Sequence, residues 1–266
     1  MPQHPMSASV TEMPLNRTQF DLQPLFEQVQ NIRDLGGKIT SDGRRIQTGR
    51  LLRSANPGLA TAADITRLQR FNIDVVIDFR TEGEKKLLET PFAEVFNWVA
   101  DPIMVGNLSQ RSDLLALKNG TAQDSRAFMI ALYRDFPLQY QAQYRRFLQL
   151  AEKNRNILYH CTAGKDRTGF ASLLLLSALG IDHADIIADY LESNRTNTAG
   201  NAQLLEQVNK LGLSAEVMVP LLSVEAAYLD AAQQVINDDH GGMQHYLEIV
   251  LGIDAALIRE NYLESV

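Results

Sequence analysis

The sequence is poor in residues that build metal centres and cross-links. Its 266 residues include one cysteine, five histidines and one tryptophan. A single cysteine excludes a disulfide within the chain and fits a reducing compartment. The scattered histidines and one thiol give no zinc-ligand spacing, so we expect neither a metal nor a cofactor. The surroundings of that one thiol, Cys161, are therefore the first place to look for chemistry.

Positive charge and long apolar runs are also scarce. The net charge is −7, which argues against general nucleic-acid binding. No apolar run approaches the length of a membrane span, and residues 1–20 lack the basic start and apolar run of a signal peptide. We predict a cytoplasmic protein without membrane insertion and with a disordered arm over residues 1–20; export without a signal peptide stays open.

Cys161 stands between a strand pattern and a helix pattern. The β-prone run 157–159 leads into it, and the run 170–178, rich in helix formers, follows. A tight loop between a strand and a helix points backbone N–H groups at one spot, and the helix N-terminus adds positive charge there. Arg167 supplies a permanently charged fork that grips phosphate oxygens in pairs. The pattern predicts a nucleophile and an anion clamp that face one cavity.

Neighbouring side chains suit a thiolate at this position. Lys165 and Arg167 favour negative charge, and the hydroxyl of Thr168 can reach the sulfur. His160 precedes the cysteine, where its ring can hydrogen-bond backbone and fix the loop. These roles are hypotheses from the sequence.

Two motifs carry a family resemblance. Residues 160–168 read His-Cys-x-x-Gly-x-x-Arg-Thr, which resembles the phosphate-binding signature of the cysteine-based protein tyrosine phosphatases. The Gly-Lys-Asp-Arg run at 164–167 is similar to that of the bacterial atypical tyrosine and phosphoinositide phosphatases. Residues 31–37, Asn-Ile-Arg-Asp-Leu-Gly-Gly, resemble a second segment of that group, with Ile where Phe is usual. The resemblance extends from about residue 25 onward.

The resemblance implies hydrolysis of phosphomonoesters without a metal. Cys161 would attack phosphorus and form a phosphocysteine, while Arg167 and the backbone amides of the loop hold the phosphoryl oxygens. The expected phosphate-binding residues are Thr162, Ala163, Gly164, Lys165, Asp166 and Arg167. The expected partner is a phosphoprotein or a phosphoinositide, with phosphotyrosine first and phosphoserine or phosphothreonine also considered. The sequence leaves the physiological substrate and the oligomeric state open.

The general acid and the role of Lys165 have alternatives. Asp166 lies inside the loop, as the acid does in the myotubularin lipid phosphatases, and it is our first choice. Asp78, at a predicted strand end, is either a second candidate or a sheet-edge residue that bonds a loop. Asp101 follows Trp98 in a loose resemblance to a mobile acid loop, but Asp-Pro is also a common turn starter. Lys165 either binds a second phosphate group of the substrate or is a solvent-exposed charge.

The order of elements predicts an α/β fold with a central, mostly parallel sheet flanked by helices. Strands are expected at 50–54, 73–79 and 157–159, and Thr61 is expected to be the N-cap of a helix that runs to about Phe71. A long connection over 90–124 and a helix over 125–150, broken near Pro137, follow. We predict a single phosphatase domain over 21–266, in which 183–266 form a helical extension or lid.

The most apolar irregular stretch of that extension is 216–222. It either packs on the core or lies as a lid over the active site. The resemblance implies a helical cover there, which would shield an oxidisable thiolate.

Two other function classes compete with the phosphatase. A rhodanese-like sulfur transferase also places one cysteine in a loop before a helix, but it lacks the Arg-Thr ending. A catalytically silent phospho-ligand binding module would keep the loop, although such modules usually lose the cysteine or the arginine, and both are present here.

Overall fold

The computed structural model describes residues 22–86, 89–104, 120–210, 212 and 214–265. The arm predicted over residues 1–20 lies outside them. The described strands form one five-stranded sheet in the order β1-β2-β5-β3-β4. Their bounds are Arg33–Asp34 for β1, Leu51–Ser54 for β2, Val75–Asp78 for β3, Trp98–Ala100 for β4 and Ile157–His160 for β5.

The four strands β2 to β5 are parallel, and only β1 runs antiparallel, against β2. Side chains of β2, β3 and β5 alternate between two apolar clusters, one on each face of the sheet. Leu52, Val76 and Leu158 enter one cluster, while Leu51 and Ile157 enter the other. Burial on both faces explains the continuous apolar runs in these strands. The predicted α/β class with a mostly parallel sheet is confirmed.

Helices cover both faces. The predicted N-cap is confirmed, since the Thr61 hydroxyl accepts a hydrogen bond from the backbone N–H of Asp64. No described helix is long and apolar enough to cross a membrane. The α-helical bounds are Ala62–Gln69, Thr90–Val95, Ala122–Gln139, Gln141–Glu152, Asp166–Leu179, His183–Thr196, Thr198–Lys210, Ala215–Leu222, Ala226–His240, Met243–His245 and Ala255–Tyr262; Gln23–Leu25 and Glu82–Glu84 are 3-10 turns, and Tyr246–Val250 is π-helical.

Three local predictions are corrected. The stretch 90–124 is not a plain connection, because it holds the helix Thr90–Val95 and the strand β4, and part of it, 105–119, lies outside the described residues. Residues 216–222 are not irregular. They belong to the helix Ala215–Leu222, whose first turn is capped by the hydroxyl of Ser214. Pro220 lies in the last turn of this helix, where it removes one intrahelical hydrogen bond.

The break expected near Pro137 falls at Tyr140. Pro137 lies inside the helix Ala122–Gln139, and Tyr140 separates that helix from Gln141–Glu152. The division into one domain over 21–266 with a helical extension over 183–266 stays a prediction.

The topology places Cys161 at the carboxyl edge of the sheet. Strand β5 lies between β2 and β3, and its last residue, His160, pairs with Ser54 and with Asp78. The loop after β5 therefore emerges between two neighbouring strand ends. Open parallel sheets bind their ligands at this edge.

Candidate active site

The loop of residues 161–167, called the Cys161 loop below, turns sharply at Gly164. Gly164 has φ of 66°, a left-handed conformation that strains residues with a Cβ. A Cβ at this position would clash with the backbone carbonyl of Ser54, at the end of β2. Only glycine allows the loop to pack this closely against the neighbouring strand.

The carbonyl groups of the loop point away from its centre, toward donors in the surrounding protein. The backbone N–H of Asn56 donates to the Thr162 carbonyl at 3.0 Å. The Asn31 side chain donates to the carbonyls of Ala163 and Gly164 at 2.9 and 3.0 Å. The N–H groups of residues 162–165 donate to no acceptor in the described part of the chain. Together with the N-terminus of the 14-residue helix Asp166–Leu179, these N–H groups form an arrangement that can bind an anion, called the anion nest below.

Arg167 is buried and held in one orientation. Its Nη1 donates to the backbone carbonyls of Phe79 and Ile103, both at 3.2 Å. Its Nη1 and Nη2 donate to the two carboxylate oxygens of Glu84 at 2.9 and 2.7 Å. Its buried Nε has no hydrogen-bond partner among the described residues. The Nη edge of the fork is therefore bonded to protein, and Nε remains for an anion.

Glu84 is the main site residue that the sequence did not reveal. Its carboxylate also accepts a hydrogen bond from the Thr162 hydroxyl at 2.5 Å, so it connects two ends of the Cys161 loop. Burial alone would raise the pKa of Glu84, but the hydrogen bonds and charge of Arg167 and the Thr162 hydroxyl lower it to about 2. The Thr81-x-x-Glu84 pattern signals a capped turn. It carries no sign of a partner 83 residues away.

Asp166 lies at the start of the loop helix with its carboxylate partly open to solvent. The Tyr133 hydroxyl donates to one carboxylate oxygen at 2.8 Å, and Lys165 lies 2.9 Å from the other. Tyr190 donates in turn to the Tyr133 hydroxyl at 2.6 Å. Burial first, and then the charge of Asp166, raise the pKa of Tyr133 well above its usual value. Tyr133 therefore keeps its proton at neutral pH and remains a donor to Asp166.

Lys165 is buried, so the alternative of an exposed charge does not describe it. Its ammonium group donates to the carbonyl of Leu221 at 2.9 Å and lies 3.4 Å from that of Ser223. These carbonyls lie at the C-terminal end of the helix Ala215–Leu222, where a cation is favoured. Lys165 thus ties the Cys161 loop to the segment predicted as a lid or a core element.

Comparison with known proteins gives the family. The model of the tyrosine phosphatase family matches residues 24–264. The chain belongs to this family.

Two relatives of the phosphatase are similar over most of their length. A putative tyrosine-protein phosphatase of Cupriavidus necator is 44% identical over 263 residues, which cover 99% of this chain and 93% of the relative. The triple specificity protein phosphatase PtpB of Mycobacterium tuberculosis is 29% identical over 251 residues, covering 82% of this chain and 90% of that protein. The family and these relatives support protein tyrosine phosphatase activity.

The solved structures offer a more distant comparison. A structure of P. aeruginosa TpbA in complex with phosphotyrosine is 14% identical. It covers 82% of this chain and 88% of the other, with a TM-score of 0.30.

Three further predicted residues, Asp78, Asp101 and His160, are bonded to partners within the described protein. In the phosphatase, Asp78 is fully buried and both its carboxylate oxygens bond Arg80. Asp101 forms an ion pair with Arg146, 2.5 Å apart. His160 hydrogen-bonds the Cys161 carbonyl through Nδ1 at 3.0 Å, and burial lowers its pKa to about 4, so the ring is neutral.

Thr168 follows the Cys161 loop directly in the chain. It is fully buried in the first turn of the loop helix. Its Oγ1 has no hydrogen-bond partner in the described part of the chain. A buried hydroxyl without a partner at this position leaves Thr168 available to the sulfur or to a bound oxyanion.

Proposed function

We propose that the phosphatase hydrolyses phosphomonoesters through a phosphocysteine at Cys161. The observation that carries the proposal is the set of hydrogen-bond donors without acceptors in the loop that begins at this thiol. The N–H groups of residues 162–165 and Nε of Arg167 are without acceptors in the described protein. Such preorganised donors stabilise the charge on the equatorial oxygens of a transferring phosphoryl group.

The first step forms the phosphocysteine. The Cys161 thiolate attacks phosphorus, an S–P bond forms, and the P–O bond to the leaving group breaks. We assign the general acid to Asp166, whose protonated carboxyl group gives its proton to the leaving oxygen. Asp166 also forms an ion pair, with Lys165 at 2.9 Å, but it lies inside the Cys161 loop, whereas Asp78 and Asp101 are paired with Arg80 and Arg146. The Asp166 side chain is 17% exposed, compared with 0% for Asp78 and 11% for Asp101.

The second step releases phosphate. A water molecule attacks phosphorus, loses its proton to the Asp166 carboxylate and displaces the Cys161 thiolate as the S–P bond breaks. Arg167 keeps its orientation through both steps because Glu84 and two carbonyls hold its Nη groups. No step in this sequence requires a metal.

Phosphotyrosine is the substrate class that the family supports. The relative PtpB is named for triple specificity, and we extend the proposal to phosphoserine, phosphothreonine and phosphoinositides on that ground. In this structure Lys165 donates to Leu221 and Ser223. It could bind a second phosphate only after the C-terminal end of helix 215–222 moves. We therefore propose that this helix acts as a cover of the site.

The Cys161→Ser variant tests the nucleophile. It should bind tungstate as the wild type does and lose turnover of p-nitrophenyl phosphate, since a hydroxyl is a poor nucleophile without a base. Activity within tenfold of the wild type would overturn the covalent mechanism. The wild type should also lack thiosulfate:cyanide sulfurtransferase activity, which separates it from a rhodanese. A silent binding module would bind tungstate and hydrolyse nothing.

A further inference from the structure

The motif at residues 31–37 has no part in the chemistry above, yet its first residue contacts the Cys161 loop. Asn31 is fully buried and adopts a left-handed backbone conformation with φ of 51°. Its side-chain amide nitrogen, Nδ2, donates to the carbonyl oxygens of Ala163 and Gly164 at 2.9 and 3.0 Å. One amide group therefore bridges two consecutive peptide units of the loop.

The orientation of this amide is set by its other partners. Its Oδ1 accepts hydrogen bonds from Nη1 of Arg33 and from the hydroxyl of Thr196, both at 2.6 Å. Arg33 carries only donors, so the atom facing it must be the amide oxygen. The Nδ2 group consequently faces the loop. Asp189 fixes Arg33 through an ion pair at 3.2 Å.

The carbonyls that Asn31 holds belong to the peptide units whose N–H groups line the anion nest. In a planar trans peptide the C=O and N–H groups point in opposite directions. A carbonyl of Ala163 held outward therefore turns the N–H of Gly164 inward. The carbonyl of Gly164 does the same for the N–H of Lys165.

We propose that Asn31 is a positioning residue that aims the N–H groups of Gly164 and Lys165 at the phosphoryl group. Arg53 and Asn197 also donate to this part of the loop, but each to one carbonyl, at 2.9 and 3.1 Å. Among the side chains that the structure describes, only that of Asn31 donates to both carbonyls and so ties the two peptide units together. The inference rests on the proposed function and concerns the same site.

The residue type follows from two simultaneous demands. The left-handed backbone favours Gly, Asn or Asp, and the contact with two carbonyl oxygens requires donor hydrogens. Glycine has no side chain to donate, and an aspartate would present an oxygen to both carbonyls. Asparagine alone among these three meets both demands.

The decisive variant is Asn31→Asp. It keeps the side-chain shape, the left-handed preference and the acceptor for Arg33, but it replaces the Nδ2 donors with an oxygen. The matched control is Asn72→Asp. Asn72 has nearly the same backbone conformation, φ of 49°, but it is exposed and lies outside the site.

The probes are tungstate, as a competitive oxyanion, and p-nitrophenyl phosphate. For Asn31→Asp we expect the inhibition constant of tungstate to rise at least tenfold. The kcat should fall about 10- to 100-fold, less than the loss expected when a donor is removed outright. Asn72→Asp should change both quantities less than twofold. A residue with only a structural role would lower the melting temperature and leave the tungstate constant of the folded enzyme unchanged.

A milder variant covers the case in which Asn31→Asp does not fold. Thr196→Val removes one of the two groups that orient the Asn31 amide and nearly conserves volume. We expect it to raise the tungstate inhibition constant about three- to fivefold. Tungstate constants within twofold of the wild type for every folded variant, Thr196→Val included, would overturn the proposal. That failure is distinct from failure of the proposed function, which would appear as activity in Cys161→Ser.

Discussion

Replacing Glu84 by glutamine should loosen Arg167 while leaving it in place. Glutamine is nearly isosteric with glutamate, so the Glu84→Gln variant keeps one acceptor for the guanidinium and removes the negative charge. In the wild type the two side chains form paired hydrogen bonds at 2.7 and 2.9 Å, and 6% of Arg167 and 22% of Glu84 are exposed. The variant therefore leaves a largely buried cation with weaker compensation.

The expected loss of stability can be worked out from the ion pair between Arg167 and Glu84. Two unit charges about 4 Å apart attract by about 4 kcal/mol at an effective dielectric constant of 20. Desolvation opposes this attraction. The pKa of Glu84, lowered from 4.5 to about 2, corresponds to at most about 3 kcal/mol. About half of this free energy remains once solvent screening at the partly exposed Glu84 is allowed for.

The sign of the linkage is fixed by the lowered pKa of Glu84. Its contribution to the free energy of unfolding is present above pH 4.5 and is lost as the pH falls toward 2. At pH 7 the Glu84→Gln variant should thus be about 1–2 kcal/mol less stable than the wild type. The kcat for p-nitrophenyl phosphate should fall about tenfold, equivalent to about 1.4 kcal/mol, because the Arg167 fork is less well oriented.

Urea unfolding and steady-state kinetics at pH 7 measure both effects. The matched control is Glu82→Gln in the same 3-10 turn. Glu82 is 85% exposed and pairs only with Lys85 among the described residues, so its change should fall within about 0.5 kcal/mol. If Glu84→Gln matched Glu82→Gln in stability and in kcat, the reasoning about the Arg167 pair would be refuted.

Three further predictions concern two residues of the Cys161 loop and His160, which precedes it. Asp166→Asn should slow the hydrolysis of alkyl phosphates at least tenfold more than that of p-nitrophenyl phosphate, because an activated leaving group needs little protonation. Equal slowing of both substrates in single-turnover assays would assign the general acid to Asp78 or Asp101 instead. Lys165→Ala removes the donor to the Leu221 carbonyl, so proteolysis within helix 215–222 should become faster. The control Lys165→Arg should be cleaved at a rate closer to that of the wild type. The same rate for all three proteins would show that the contact does not hold the helix. Burial lowers the pKa of His160 from 6.5 to about 4, so the stability linked to its neutral ring is complete above pH 6.5 and is lost as the pH falls toward 4. Between pH 7 and pH 5 this loss should reach about 2 kcal/mol in urea unfolding, and a His160→Gln variant that retains the full loss would contradict it.

The parts of the site that could be predicted from sequence are the local ones. The strand, loop and helix around Cys161 follow from neighbouring residues, because apolar runs and a glycine at a left-handed turn act over a few positions. The same holds for the buried strands β2 and β3 and for the Thr61 cap. Each signal depends on short-range periodicity or on one backbone conformation.

The parts that could not be predicted depend on distant pairing. Glu84 meets Arg167 across 83 residues, and Lys165 meets Leu221 across 56. A charge pattern shows which residues can pair but not which ones the fold brings together. The helix 215–222 was missed for a related reason. In the sequence, the proline in this apolar stretch indicates an interruption, but in the fold it lies in the last turn of the helix. Its C-terminal carbonyls are bonded by Lys165, and that partner is visible only in three dimensions.

The central position of β5 has a consequence for how the enzyme acquires activity. This strand is the last of the five in the chain, yet it pairs with β2 and β3, which come about 100 and 80 residues earlier. Asn31 reaches the loop across 132 residues. Contacts of such long range close large loops and form slowly during folding. During synthesis, the segment up to β4 is therefore made before β5, and the position of β5 between β2 and β3 stays unfilled until then. This position is called the open slot. The phosphate site should then appear in a single late event, when β5 fills that slot.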